Sequence, residues 1–254
     1  MTRTLEGTVA LVTGASSGIG EATALALAEQ GASVALAARR VERLNELSAR
    51  LESMGSKALV IEADITDQAQ ACAAVEQTVA AWGRLDTLIN NAGVMLLGPA
   101  GSAPLSEWQR MVDLNLMGLL YCAHAALPHL AAAAESGERQ VADMVNVSSV
   151  AGRVARLGSG VYNATKFGVG AFSESLRQEY AKQHVRISLV EPGAVDTELK
   201  DHVRPEVLSA LAGRLAGVEI LHSEDIAEAI AYVVTRPRRM AVNEILIRPT
   251  EQDS

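Results

Sequence analysis

The chain has 254 residues, 49% of them hydrophobic, and a formal net charge of -8. This length and apolar content suit one soluble domain with a single large core. The acidic balance excludes nucleic-acid partners, because no basic surplus is available to replace the counterions of a phosphate backbone.

Apolar runs alternate with helical patterns along the chain. The candidate strands are residues 9–12, 34–37, 58–61, 87–89, 141–147, 186–190 and 244–247. Helical patterns lie between them, for example at 43–54, 68–82 and 107–130. Such alternation predicts an α/β domain in which a parallel sheet carries helices on both faces, with the ligand crevice at the carboxyl ends of the strands. We find no internal repeat and no domain linker.

A glycine-rich turn follows the first predicted strand. The segment Thr13-Gly-Ala-Ser-Ser-Gly-Ile-Gly20 leads into a strong helix former at 21–29. A turn of this kind presents backbone N–H groups and a helix N-terminus to a diphosphate, while glycines allow close approach. Its glycines, at 14, 18 and 20, are spaced more loosely than GxGxxG. Alone, the motif is also compatible with an ordinary tight turn.

Residues 114–134 are apolar enough to raise the question of a membrane span. Asn115, His124, Pro128 and His129 interrupt this stretch, which favours a buried or amphipathic helix. The small and polar residues at 131–140 predict a surface connection before the fifth strand. Residues 194–217 lack an obvious strand, and long irregular segments in compact domains are often functional.

The chain carries no sign of export or of metal binding. Its first residues lead almost directly into a strand without a signal-peptide pattern, so we expect a cytoplasmic protein. The two cysteines, Cys72 and Cys122, form no CxxC pair and are interpreted as apolar core residues in a reducing compartment. The five histidines are scattered, and no metal site is expected.

Tyr162 and Lys166 stand four residues apart, which places the phenol and the ammonium on one helix face. A free tyrosine has a pKa of roughly 10, and a nearby ammonium is expected to lower it and to favour proton exchange near neutral pH. The alternative is a half-buried aromatic beside a solvated lysine. YxxxK alone does not decide between the two.

These pieces occur together with others in a fixed order. Along the chain come Thr13-Gly-(x)3-Gly-x-Gly20, Asp64, Asn90-Asn-Ala-Gly93, Asn115, Ser149, Tyr162-(x)3-Lys166 and Pro192-Gly193. From about Leu5 to Thr250 the chain therefore resembles the classical short-chain dehydrogenase/reductases. The resemblance implies a single-domain Rossmann fold over residues 1–254, with a doubly wound, mostly parallel seven-stranded sheet and a mobile substrate lid at about 194–217. Segments 95–99, 151–153, 191–193, 196–199 and 247–250 look more narrowly like the NADPH-dependent clavulanic acid dehydrogenase group.

The same resemblance assigns the cofactor contacts by position. The phosphate turn comprises Gly14, Ser16, Ser17, Gly18, Ile19 and Gly20, and the adenine edge comprises Asp64 and Ile65. The ribose wall comprises Asn90, Asn91, Ala92 and Gly93, and the nicotinamide is held by Pro192, Gly193, Val195 and Thr197. The segment at 90–93 could instead serve mainly to order the end of its strand.

The resemblance also assigns catalytic roles. Ser149 lies thirteen residues before Tyr162 and should hydrogen-bond the substrate carbonyl, with Ser148 as a competitor that only caps backbone. Tyr162 would donate the proton as hydride reaches the carbonyl carbon. Lys166 would lower the phenol pKa and bind the nicotinamide ribose. Asn115 would support a water relay to Lys166 from a locally distorted helix, although a buried helix Asn could be purely structural.

Cofactor choice is predicted from the residues after the second strand, Ala37-Ala-Arg-Arg-Val41. Ala38 stands where NAD-binding relatives carry a ribose-binding Asp, so no carboxylate repels a 2'-phosphate. Arg39, with Arg40 as the second candidate, could pair with that phosphate bidentately. Both arginines could also belong to a solvated helix start. Their coincidence with the missing Asp favours NADP(H).

The substrate pocket is expected to combine an apolar wall with one or two arginines. The candidates are Met95, Leu96, Leu97, Val150 and Leu157, with Arg153 and Arg156 nearby. Such a pocket suits a carbonyl compound bearing a carboxylate, although the arginines could equally face solvent.

The main hypothesis is an NADPH-dependent aldehyde or ketone reductase. The alternatives are an NADP-dependent dehydrogenase of small hydroxy acids or hydroxy amino acids, and a noncatalytic cofactor-binding regulator. The resemblance to this family implies a homotetramer or homodimer.

Overall fold

The structure is a computed structural model and describes residues 4–253 except 206, 208–212 and 214–216. Its centre is one sheet in the order β3-β2-β1-β4-β5-β6-β7. The strands are β1 Val9–Thr13, β2 Ser33–Ala38, β3 Ala58–Glu62, β4 Thr87–Asn90, β5 Ala142–Val147, β6 Val185–Pro192 and β7 Glu244–Ile247. All neighbours pair in parallel. The predicted single-domain Rossmann-like fold, with seven parallel strands, is confirmed.

Seven α-helices are assigned in the described part of the chain. They are α1 Gly18–Glu29, α2 Val41–Ser53, α3 Gln68–Trp82, α4 Leu105–Val112, α5 Leu119–Ser136, α6 Gly160–Tyr180 and α7 Ser223–Val234. A π-helical turn, Asp113–Gly118, joins α4 to α5. The strand order reverses between β1 and β4, which places the ligand crevice at the carboxyl ends of these two strands.

Two apolar layers enclose the sheet, as the pleat of β1 illustrates. Val9 and Leu11 face the layer that includes α3 and α5, whereas Ala10 and Val12 face the layer that includes α1 and α7. All four side chains are buried. A strand buried on both faces is expected to be apolar throughout rather than alternating, as these residues are.

The helical run Leu105–Ser136 passes a length-and-composition test for a membrane span, but 44% of the test window is buried inside the protein. Cys122, Ala126 and Leu130 from this run belong to the core layer, which is the position of a core helix. The predicted surface connection at 131–140 is wrong in its first half, because α5 continues to Ser136 and buries Ala133 and Ala134. Alanine has the highest helix propensity, and burial adds to it.

A buried ion pair ties the amino-terminal side of the sheet to the end of α7. Arg186 Nε donates to Asp143 Oδ1 at 2.7 Å, and both side chains are almost fully buried. Arg186 also donates to the Val234 carbonyl at 3.1 Å and to the Met240 carbonyl at 2.7 Å. These bonds attach the segment after α7 to β5 and β6.

The two cysteines differ in burial. Cys122 is fully buried, and burial raises the pKa of its thiol to about 12. Its predicted place in the core is confirmed, whereas Cys72 is only half-buried. No group of three or more potential metal ligands occurs among the described residues.

Candidate active site

The glycine turn between β1 and α1 needs glycine for two different reasons. Gly14 and Gly18 have φ of 66° and 57°, the left-handed region that side chains rarely adopt. Gly20 has ordinary dihedrals, but a Cβ there would collide with the Gly14 carbonyl oxygen and with Asn91 Nδ2. The turn therefore folds back tightly on itself and leaves backbone exposed to a ligand at the start of α1. Ser16, Ser17 and Ile19 lie within it.

The asparagines at the end of β4 hold the turn and the sheet together. Asn91 Nδ2 donates to the Thr13 and Gly14 carbonyls at 3.0 and 3.2 Å, while its backbone N–H donates to Thr13 Oγ1. Asn90 Nδ2 donates to Asn146 Oδ1 at 2.9 Å, deep between β4 and β5. These hydrogen bonds agree with the alternative interpretation of residues 90–93, in which the amides of Asn90 and Asn91 order the end of the strand. Ala92 and Gly93 remain half-buried beside the crevice.

Of the two arginines after β2, Arg40 is the one fixed on the glycine turn. Its Nε donates to Ser16 Oγ at 3.2 Å and its Nη2 to Ser17 Oγ at 2.7 Å. Its Nη1 donates to Glu198 Oε2 at 2.7 Å. Arg39, the first candidate by sequence, is 64% exposed and lies 3.8 Å from Asp64. Arg40 is thus held on the glycine turn and Arg39 is mostly exposed, while the arginine that binds a 2'-phosphate stays a prediction.

Asp64 and Ile65 lie just beyond the carboxyl end of β3. The Asp64 carboxylate accepts hydrogen bonds from the Thr66 N–H and hydroxyl at 3.0 and 2.8 Å. Although its partial burial opposes the shift, these bonds and Arg39 lower the Asp64 pKa. Ile65 is buried in the core layer, where its carbonyl approaches Gly118 closely. Its side chain is therefore committed to packing.

Helix α6 brings Tyr162 and Lys166 to the same crevice, one turn apart. Both side chains are buried, with 6% exposed, and Lys166 Nζ lies 5.9 Å from the centre of the Tyr162 ring. The ammonium donates to the Val147 carbonyl at the end of β5, at 2.8 Å. Lys166 is therefore not the solvated lysine of the alternative interpretation.

Burial, rather than charge pairing, sets the protonation of this pair. The pKa of Tyr162 is raised because burial penalises the phenolate, and a hydrogen bond with Ser149 offsets only part of that rise. Burial also lowers the pKa of Lys166 to about 8. The lowering of the phenol pKa expected from Lys166 is not found, because burial is the largest cause of the shift and raises that pKa. Tyr162 consequently holds its proton at neutral pH.

Ser148 and Ser149 play different parts after β5. Ser148 is buried, and its hydroxyl donates to the Lys166 carbonyl at 3.2 Å. The hydroxyl of Ser149 accepts from the Ala151 N–H at 3.1 Å and reaches the Pro192 carbonyl only at 3.5 Å. Ser149 is also close enough to the Tyr162 phenol to lower its pKa. The geometry therefore places Ser149, and not Ser148, beside the phenol.

Asn115 lies in the π-helical turn Asp113–Gly118, so the helix is distorted at the position where distortion was expected. Its Oδ1 accepts from the Val94 N–H at 2.7 Å and its Nδ2 donates to the Val94 carbonyl at 2.8 Å. A Cβ on Gly93 would lie 3.2 Å from Asn115 Oδ1 and 3.8 Å from Lys166 Nζ. Asn115 thus fixes the segment after β4 directly beside the lysine.

The residues after β6 cross above the glycine turn. Gly193 is enclosed by Pro249 and Gln252, and Val195 forms an isolated bridge with Leu221. Thr197 accepts from the Leu199 N–H and packs its methyl group toward Gly18. It thereby caps the short 3-10 helix Glu198–His202. Pro192 and Thr197 thus border the crevice, whereas residues 206, 208–212 and 214–216 of the expected lid lie outside the described residues.

The predicted substrate wall is only partly assembled. Met95, Leu96 and Leu97 pack with Tyr162 in a small apolar cluster, and Val150 is buried. Leu157 is 91% exposed and does not line that cluster. It lies in the connection between β5 and α6, where sequence alone gives no orientation.

The two arginines of the predicted pocket differ sharply. Arg153 donates to both carboxylate oxygens of buried Glu191 at 2.8 Å and also pairs with Glu244, so its charge is neutralised within the protein. Arg156 carries a buried Nη2 without a hydrogen-bond partner. Glu191 and Glu198 were not anticipated as site residues, since their partners are 38 and 158 residues away. Only the Glu191-Pro-Gly193 motif gave a signal for the first.

The sequence profile of the short chain dehydrogenase family matches residues 8–208, and the chain belongs to that family. Glycine betaine reductase ATRR of Emericella nidulans is 39% identical over 98% of this chain, which spans only 19% of that larger protein. An uncharacterized oxidoreductase of Staphylococcus saprophyticus is 37% identical, with 96% of each chain covered. Among solved structures, the closed form of serine dehydrogenase complexed with NADP+ is 32% identical and has a TM-score of 0.86, with 97% of each chain covered.

Proposed function

We propose that this oxidoreductase is an NADPH-dependent reductase of an aldehyde or ketone. The observation that carries the proposal is the convergence of Ser149, Tyr162 and Lys166 beside the glycine turn. The Tyr162 phenol, buried in the crevice one helical turn from Lys166, is placed to donate its proton to an alkoxide.

The residues present fit a nicotinamide dinucleotide. The absence of side chains at Gly14 and Gly20 lets the turn pack closely against Ala92 and Asn91, and the start of α1 offers N–H groups to a diphosphate. When bound, the reduced cofactor supplies the hydride. Ser149 donates a hydrogen bond to the substrate carbonyl oxygen, and Tyr162 transfers its phenolic proton to that oxygen as negative charge develops. Lys166 binds the nicotinamide ribose, and Asn115 keeps the segment after β4 in place next to it.

NADP(H) is the proposed cofactor because the end of β2 is cationic and lacks a carboxylate. Ala38 is the last residue of β2, and Arg40 with the hydroxyls of Ser16 and Ser17 offers donors for a 2'-phosphate. Arg39 flanks this place. Several solved relatives are complexes with NADP, although one is a complex with NADH.

The proposed substrate is a carbonyl compound with an apolar body and a carboxylate, as a clavulanate-aldehyde-like molecule would be. The apolar cluster around Tyr162 supports the first feature. The carboxylate is better supported by Arg156, whose Nη2 has no hydrogen-bond partner, than by Arg153, whose charge two glutamates neutralise.

An NADP-dependent dehydrogenase of small hydroxy acids or hydroxy amino acids is the second candidate, favoured by the similarity to serine dehydrogenase. The complete set of Ser149, Tyr162 and Lys166 disfavours a noncatalytic regulator. We further propose a cytoplasmic homotetramer or homodimer with a substrate lid at about 194–217.

The test is a screen of NADPH oxidation over aldehydes and ketones, each with and without a carboxylate. Tyr162→Phe should keep NADPH binding but lose the proton donor, with turnover falling on the order of 100- to 10,000-fold. Near-normal turnover in this variant would exclude Tyr162 as the acid. Activity confined to oxidation of hydroxy acids with NADP+ would favour the second candidate.

A further inference from the structure

Glu198 forms an ion pair with Arg40 that has no role in the proposed reaction. It begins the 3-10 helix Glu198–His202 in the segment after β6, and its carboxylate accepts from Arg40 Nη1 at 2.7 Å. The same guanidinium is held by Ser16 and Ser17 of the glycine turn. An anion contributed from 158 residues away thus occupies the edge of the arginine best placed for a phosphate.

The charges around Glu198 favour its ionised form. Although partial burial opposes the shift, hydrogen bonds from Arg40 and Ser17 and the nearby charge of Arg43 lower the pKa of this carboxyl. At neutral pH the group is therefore a carboxylate, and one of its oxygens accepts from Nη1 of the Arg40 guanidinium.

We propose that Glu198 is an internal substitute for the 2'-phosphate of the dinucleotide, which Arg40 exchanges for the phosphate when NADPH binds. This inference rests on the proposed cofactor. NADH, which has a hydroxyl at that position, brings no anion to displace the carboxylate. Glu198 therefore acts on the affinity for the phosphorylated cofactor alone.

The exchange is energetically feasible because the internal pair is weak. Arg40 and Glu198 are 45% and 42% exposed, and ion pairs this exposed contribute little. A phosphomonoester carries nearly two negative charges and three acceptor oxygens, so it competes well with Glu198 for the Arg40 guanidinium.

Release of Glu198 would also loosen the segment that carries it. Thr197, next to it, caps the 3-10 helix and packs toward Gly18. Val195 stays attached through its bridge to Leu221. The change on binding NADPH is therefore expected within residues 196–202, beyond that anchor.

The experiment measures dissociation constants of NADPH and NADH by titration calorimetry, at fixed ionic strength, for wild type and Glu198→Gln. Removing the competitor should tighten NADPH by about two- to fivefold and leave NADH unchanged. Asp201→Asn is the matched control, because it removes one charge from the same turn without a bond to Arg40. A double-mutant cycle with Arg40→Ala should abolish the effect of Glu198→Gln.

Hydrogen exchange on the same proteins gives a second readout. Residues 196–202 of wild type should exchange faster with NADPH than with NADH, and apo Glu198→Gln should already exchange at the faster rate. Equal NADPH affinities in the two proteins, tighter binding of both cofactors, weaker NADPH binding, or the same gain in Asp201→Asn would each overturn the proposal. Wild type that binds NADPH no better than NADH would instead overturn the proposed cofactor.

Discussion

Among single residues of the site, Lys166 is a side chain whose ionisation depends on burial. Its pKa falls from 10.5 to about 8 because the ammonium is removed from water, with the Val147 carbonyl as its acceptor. Near neutral pH it still carries its charge. The site therefore joins a protonated phenol to a lysine that is still mostly protonated at neutral pH.

Lys166→Met should change how stability depends on pH. Between about pH 8 and 10.5 the unfolded lysine keeps a proton that the folded one has lost, so wild type becomes more stable as pH rises through this window. The gain relative to Lys166→Met should be roughly 3 kcal/mol across it. Urea unfolding of both proteins at several pH values measures this. Parallel curves would show that the folded lysine has an ordinary pKa.

The two arginines after β2 should differ in their effect on cofactor choice. Arg40→Ala removes charge-assisted hydrogen bonds worth roughly 1.5 to 3 kcal/mol, so NADPH should weaken by about ten- to 150-fold. Arg39→Ala, at a more exposed side chain, should have a smaller effect, and Ala38→Asp should add repulsion to either. The ratio of kcat/KM for NADPH and NADH gives the answer. A larger loss in Arg39→Ala would restore the order first predicted from sequence.

Among the elements, helix α1 carries in its first turn a glycine, Gly20, that helix propensity disfavours. Gly20 lies inside α1, where Ala would ordinarily stabilise the helix by about 1 kcal/mol. Because a Cβ at Gly20 would meet the Gly14 carbonyl, Gly20→Ala should destabilise the fold by about 1 to 3 kcal/mol and displace the turn. Gly170→Ala in α6 is the control, since its Cβ would make only an ordinary contact with Leu189. Thermal unfolding should show opposite signs for the two variants.

In the whole molecule, the pair of Asp143 and Arg186 connects the sheet to the segment after α7. Arg186→Met should destabilise by up to about 3 to 5 kcal/mol, because it leaves the buried Asp143 carboxylate with only the more distant Arg139, at 3.5 Å, as a cationic partner. Adding Asp143→Leu should recover part of the lost stability. The part that is not recovered reflects the hydrogen bonds that Arg186 donates to the Val234 and Met240 carbonyls. Urea unfolding measures both variants. Equal stability of Arg186→Met and wild type would mean that Asp143 takes up a proton or another partner.

The sequence alone predicted the sheet from local patterns, whereas the site residues followed from the family resemblance and their roles stay predictions. Strand boundaries such as 9–12 and 87–89 differ from β1 and β4 by one residue. The π-turn around Asn115 and the helix shared by Tyr162 and Lys166 were also anticipated. Periodicity and glycine spacing constrain the backbone within a few residues, and parallel βαβ units then bring the strand ends together.

Only the tertiary structure decided what each side chain does there. The raised Tyr162 pKa, the hydrogen bonds that hold Arg40 and the neutralisation of Arg153 depend on burial and on partners distant in sequence. The helical continuation to Ser136 likewise depends on packing of Ala133 and Ala134 in the core. A local pattern carries no information about such partners, because rotamers, desolvation and long-range ion pairs are set only when the elements pack.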